Sequence, residues 1–133
     1  METLAKGGVG LIISSHAYVQ KVGQAGTGQL GIHNDDMIPG LKEMTAAVHN
    51  RKGIIVCQLA HAGFFGNEKL CGQTPLAPSA IDGIAEGMRK EMTADDIRKV
   101  ITAFAAAARR AKIAGFDGVQ IHSAHGYLIS EFI

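Results

Sequence analysis

Residues 93–122 read TADDIRKVITAFAAAARRAKIAGFDGVQIH. In the opening part apolar residues recur at helical spacing. Ile97, Val100, Ile101, Phe104, Ala108 and Ala111 form one stripe, and Arg98, Lys99, Arg109 and Lys112 mark the wetter side. Thr93 with Asp96 predicts the helix start, because a hydroxyl and a carboxylate at that spacing satisfy backbone N–H groups that the helix leaves unpaired. Gly115 predicts its end. The period then switches to two. Gly118-Val-Gln-Ile-His122 reads as a strand, with Val119 and Ile121 on one face and Gln120 and His122 on the other.

The same succession repeats upstream. Ile54-Ile-Val-Cys-Gln-Leu-Ala60 is a second buried strand, with Ile54, Val56 and Gln58 sharing a face. Before it, Leu41, Met44, Ala47 and Val48 make the apolar face of a helix. Asn34 or Asp35 is its expected N-cap, Pro39 lies in its first turns, and Arg51-Lys52-Gly53 is its basic end and glycine stop. Val9-Gly-Leu-Ile-Ile13, ending at Ser14-Ser15, is the first strand. The order is β-α-β-α-β, which predicts parallel strands with right-handed crossovers. Returns from helix to strand are very short. The strand-to-helix segments, His16 to Asn34 and a mostly loop-like His61 to Met92, are long and leave the carboxyl ends of the strands, the face where α/β folds build sites.

Three strands and two helices leave sheet edges open. A full (β/α)8 barrel needs about 250 residues, and this chain has 133. The expected fold is therefore α/β, a slice of a larger barrel spanning 1–133. The alternative is a small complete domain that covers its edges by self-association. With 13 Lys and Arg against 12 Asp and Glu, the net charge of +1 carries no footprint for nucleic acid or an anionic membrane. No apolar run approaches the length of a membrane span, and the start lacks a signal-peptide core. Cys57 and Cys71 form no C-x-x-C motif, so a reducing, cytoplasmic setting is expected.

The chemistry concentrates in His122-Ser-Ala-His125-Gly-Tyr127, directly after a strand. Two imidazoles can donate to one carbonyl oxygen and stabilise charge that develops there, and a phenol can deliver a proton nearby. Gly126 allows a tight turn. A metal reading lacks a neighbouring carboxylate at a recognised spacing. Gln58, near the end of the second strand, offers donor and acceptor to the edge of a heterocycle, or a structural bond to a loop. His16 and His61 follow strands and are more often structural, His33 reads as a loop residue, and His49 reads as a surface residue. Cys57 is an inert buried thiol. Gly7-Gly-Val-Gly10 precedes a strand, so it is no dinucleotide fingerprint, and Gly23 to Gly28 lacks the Lys-Ser/Thr of a P-loop.

Seven segments together resemble the Old Yellow Enzyme family of flavin-dependent ene-reductases, also called the NADH:flavin oxidoreductase family. They are Ala5-Lys-Gly-Gly-Val-Gly-Leu-Ile-Ile13, Gly28-Gln-Leu-Gly-Ile32, Ile38-Pro-Gly-Leu-Lys42, Gln58-Leu-Ala-His-Ala-Gly63, Leu76-Ala-Pro-Ser-Ala-Ile81, Arg110-Ala-Lys-Ile-Ala-Gly-Phe-Asp-Gly118 and Ile121-His-Ser-Ala-His-Gly-Tyr-Leu128. The resemblance implies an FMN enzyme on a (β/α)8 TIM barrel, with this chain as its second to fourth strands and the rest of the barrel missing. It implies NADH or NADPH as reductant and a small enone or enoate as substrate, with the C=C bond reduced. Gln58 matches the residue on the flavin's pyrimidine edge, and Ser15, His16 and Ala17 match a loop against the flavin. His122 and His125 match the pair that binds the substrate carbonyl, and Tyr127 matches the proton donor. Phe64 stands where the family carries an arginine. The competing expectation is a non-catalytic fragment without tight flavin binding.

Overall fold

The computed structural model describes residues 1–80 and 87–133. At its centre is β3 (Ile55–Ala60), whose Ile55, Cys57 and Leu59 are fully buried while Val56 and Gln58 between them are half-buried. That alternation places the hydrophobic set on one face of the sheet. On one edge, β3 pairs in parallel with β1 (Ile12–Ile13) and, further along, with β2 (Ala17–Tyr18). On the other edge it pairs in parallel with β6 (Gly118–Ile121). The carbonyls of Ile54, Val56 and Ala60 accept from the first edge, at Ile12, Ser14 and Val19, and those of Ile55 and Leu59 accept from Asp117 and His122.

The first strand is thus shorter than the expected 9–13 and resumes after a break. Ser14 is the physical reason. Its hydroxyl oxygen accepts from the Gln58 N–H at 3.0 Å and its hydrogen goes to the Ser15 carbonyl at 2.9 Å, so a side chain replaces a ladder bond. The chain bends out between β1 and β2, and His16 lies in that bend.

Helices α2 (Ile38–His49) and α4 (Ala94–Ile113) cover the hydrophobic face. Leu41 and Val48 of α2 and Ala107 and Ala111 of α4 share one core with Ile12, Ile55, Cys57 and Leu59. The Thr45 hydroxyl lies 2.6 Å from the Ala114 carbonyl and ties the two helices together. The capping box at Thr93 and Asp96 is present as expected. Asn34 does not cap α2. It precedes a 3₁₀ turn, Asp35–Met37, and makes no side-chain cap bond. At the other end of α2 the left-handed residue is Lys52, with φ 58°, rather than Gly53. Gly53 is needed for space, because a Cβ there would lie 2.8 Å from Val48 and 2.9 Å from Ala5.

The segment from His61 to Met92 is more ordered than expected. It contains a 3₁₀ turn (Gly63–Phe65), the one-turn helix α3 (Glu68–Cys71) and a parallel pair of β4 (Leu76–Ala77) with β5 (Lys90–Glu91). Ile81 and Gly83, which belong to this segment, lie outside the described residues. Before the sheet stands the short helix α1 (Glu2–Lys6), held to the end of α2 by Arg51 and Glu2 at 2.8 Å. Among the described residues no helix is long and apolar enough to cross a membrane.

Candidate active site

The face of the sheet opposite the helices carries the polar side chains. Gln58 stands in register with Gln120, and its amide donates to the Gln120 carbonyl oxygen at 2.6 Å. This leaves the Gln58 oxygen and the Gln120 amide hydrogens without a partner among the described residues. His122 lies two residues beyond Gln120, hence on the same face. Its own N–H donates to the Leu59 carbonyl at 2.9 Å, which holds it at the carboxyl end of β3 and β6.

From there the chain turns sharply. His125 has φ 60° and Gly126 has φ 72°. A histidine in the left-handed region stores local strain, and such strain collects at functional sites. A Cβ at Gly126 would lie 2.9 Å from Phe65, so glycine serves both the turn and the packing. The turn brings three rings together. His122 stacks on Tyr127, with centroids 4.8 Å apart and an interplanar angle of 21°. His122 Nε2 and His125 Nδ1 are 3.3 Å apart.

The tautomers follow from the partners. His122 Nδ1 accepts from the Ala124 N–H at 3.4 Å. Burial, and then the positive charges that His125 and His16 can carry, lower the His122 pKa, so the ring is neutral near pH 7 with its hydrogen on Nε2. A hydrogen on His122 Nε2 faces His125 Nδ1. Burial also raises the Tyr127 phenol above its ordinary value and keeps its proton in place.

The bend between β1 and β2 adds a fourth ring. His16 Nε2 lies 3.4 Å from the Tyr127 hydroxyl, and the His16 ring centroid is 6.1 Å from that of His122. Ser15 is exposed beside it. Ala17, expected against the flavin, is instead fully buried in the helix-side core, which closes it to a ring on the open face. His33 stacks on Tyr18, with centroids 4.8 Å apart. His49, exposed as expected, pairs with Asp117 at 3.0 Å, and this pairing holds the Asp117 carboxyl below its usual range. Cys57 has its thiol pushed up to about 11 by burial, as befits an inert group.

Two further residues shape the site without a sequence signal. Glu131 accepts from the Phe64 N–H at 2.7 Å, and Arg89 donates to the Phe64 carbonyl, its guanidinium 4.8 Å above the Phe64 ring. His61 is buried, and its Nδ1 accepts from the Gly63 N–H at 3.1 Å. The turn Gly63–Phe65, which follows the strand of Gln58, is thus gripped at its first two residues.

Parallel strands covered by helices on one face, with carboxamides, imidazoles and a phenol gathered at their carboxyl ends, are the build of an α/β-barrel enzyme. The sequence model of the NADH:flavin oxidoreductase / NADH oxidase family matches residues 1–133, and the chain belongs to that family. It is 46% identical over 133 residues to an NADPH dehydrogenase of a Geobacillus species, covering 98% of this chain and 38% of that protein. The old yellow enzyme homologue of Zymomonas mobilis superposes with a TM-score of 0.91 at 36% identity, over 99% of this chain and 40% of that one. Morphinone reductase superposes with a TM-score of 0.85 at 31% identity, over 93% of this chain and 38% of that one. The fold is accordingly part of a TIM barrel. The chain spans between 19% and 38% of the length of the curated relatives it matches.

The family is one of oxidoreductases that use FMN with NAD(P)H. The open face fits the ring end of such a cofactor. A pyrimidine edge alternates donor and acceptor, and the Gln58 oxygen and the Gln120 amide present the complementary pair.

Proposed function

We propose that this chain provides the carboxamide and substrate-oxygen side of an FMN-dependent ene-reductase, which reduces a C=C bond conjugated to a carbonyl at the expense of NADH or NADPH. The observation that supports this most is the gathering of His16, His122, His125 and Tyr127 at the strand ends, on the face that carries Gln58. When bound, FMN would supply the hydride chemistry at this face. Gln58 would hold the pyrimidine edge of the ring, with Ser15 and His16 beside it. His125 and His122 donate to the carbonyl oxygen and stabilise the negative charge that gathers there. Tyr127 delivers a proton to the α-carbon. The substrate is a small enone or enoate.

The test uses a complete barrel in which residues 1–133 replace the matching segment of the Geobacillus NADPH dehydrogenase. Tyr127→Phe is expected to lower enone turnover about 10²–10⁴-fold, the usual contribution of a general acid, with flavin still bound. His122→Ala with His125→Ala is expected to weaken binding of an unreactive carbonyl analogue. Full turnover by the Tyr127→Phe barrel sinks the assignment.

A further inference from the structure

A phenol that gives its proton to carbon has two needs. Its hydrogen has to face the substrate, and its oxygen has to be stabilised once the proton has left. Among the described residues two aromatic side chains adjoin the Tyr127 ring. His122 stacks on its face, with centroids 4.8 Å apart, and so presents no N–H to the oxygen. His16 reaches the hydroxyl through Nε2 at 3.4 Å, with the rings tilted by 58°. This distance is at the long end for a hydrogen bond in a site without ligand, and such contacts tighten when substrate binds.

His16 arrives there because of the break in the first strand. Ser14 takes the place of a ladder bond to Gln58, and the bend that results carries residue 16 over the strand ends. The bend is anchored behind by the Gln29 amide, which donates to the His16 carbonyl at 3.2 Å. The main chain of His16 is therefore held beside the strand ends, within reach of the Tyr127 hydroxyl.

We propose that His16 is a positioning residue for Tyr127, donating its Nε2–H to the phenol oxygen. The hydroxyl hydrogen is then turned to the open face. When the O–H bond breaks, the proton passes to the α-carbon of the substrate and the electron pair stays on oxygen. His16 keeps its own hydrogen and stabilises the phenolate, and solvent returns the proton afterwards. The titratable groups facing the phenol are His16 from the bend and His122 from the end of β6, with His125 behind His122. The inference rests on the reading of Tyr127 as proton donor, and the experiment separates the two.

The first measurement is the titration of the tyrosine ¹³Cζ resonances in the 133-residue chain. Only Tyr18 and Tyr127 contribute, and Tyr18→Phe assigns them. His16→Phe keeps the ring and removes the donor, so the Tyr127 ionisation constant is expected to fall about tenfold, the weight of one hydrogen bond to a charged oxygen. His16→Gln, which restores an N–H, is expected to recover it, with Tyr18 unmoved throughout. The second measurement is kinetic, in the barrel completed with Geobacillus segments, and it decides the matter where the chain alone does not hold its fold. His16→Phe is expected to lower kcat about tenfold, to leave KM for the enone within twofold, and to have no effect on top of Tyr127→Phe. An unmoved Tyr127 titration, an additive effect in the double variant, or weakened flavin binding as the sole change overturns the inference and makes His16 a cofactor contact or a bystander. If Tyr127→Phe is silent while the titration moves as expected, the pairing stands and the proton-donor reading falls.

Discussion

Gln58 was readable from the sequence because a strand has a period of two. Its neighbours Ile55, Cys57 and Leu59 are apolar and buried, so a glutamine on the alternate face has to look outward. Its partner Gln120 follows from the same parity in the last strand, and the register pairs the two directly. His122, His125 and Tyr127 were equally legible, since one turn of chain contains them all. His16 was legible only as a histidine near a strand end. Its meeting with Tyr127 depends on the bend at Ser14 and spans 111 positions, which no local pattern encodes. At this scale Gln58→Ala is expected to weaken FMN binding in the completed barrel by about 0.5–1.5 kcal/mol, the net worth of one hydrogen bond. Gln120 stays behind as a partial substitute, so the loss is expected to stay at roughly two- to tenfold. Fluorescence titration of the flavin measures it, and an unchanged affinity removes Gln58 from the cofactor site.

The turn Gly63–Phe65 shows how an element acquires a pH dependence from residues at a distance. His61 holds its first N–H and Glu131 its second. Burial pushes His61 down to about 4 and Glu131 up to about 7, although the Phe64 N–H and the Arg89 charge both pull the carboxyl the other way. The two shifts have opposite consequences. Between about 4.5 and 7 the folded chain binds more protons at residue 131 than the unfolded chain, so stability from this group is lost as pH rises. Between about 4 and 6.5 the folded chain binds fewer at residue 61, so stability from that group is lost as pH falls. Over the shared range the slopes oppose each other. Glu131→Gln keeps an acceptor for Phe64 and removes one slope. Its denaturation midpoint, relative to the parent chain, is expected to climb from pH 5 to pH 7.5, and its own profile is expected to rise with pH through the range of His61. A constant difference between the two chains across that range refutes the role of Glu131. The helix ends teach the complementary lesson. The capping box at Thr93 and Asp96 is local and was read correctly, whereas Gly53 was read as a glycine stop and is required for its close contact with Val48 and Ala5.

For the whole molecule, the β-α-β-α-β order, the parallel pairing and the helices on one face were all legible, because periodicity and short return turns are local properties that add up to topology. The break in the first strand and the ordered pieces of the long loop were not, since both depend on partners elsewhere in the chain. The same architecture determines how the 133-residue chain behaves alone. Among the described residues β6 has a strand partner on one edge only, and on its helix side Val119 and Ile121 remain 41% and 47% exposed. Ile121 continues into an apolar groove with Ile101, Phe104, Leu128 and Phe132. An unpaired strand edge beside apolar surface favours pairing with another chain. The face proposed for the flavin, by contrast, would offer ring contacts at Gln58, Gln120 and the histidine cluster, and a phosphate gains most of its binding from charge and helix N-termini that these residues do not supply. The chain alone is therefore expected to sediment as a concentration-dependent oligomer and to lose added FMN on gel filtration. Ile121→Lys, which places a charge in the groove next to the open edge, is expected to shift the distribution toward monomer. A monomer that retains one FMN per chain and turns over an enone overturns this expectation, and it means that these strands suffice for the cofactor.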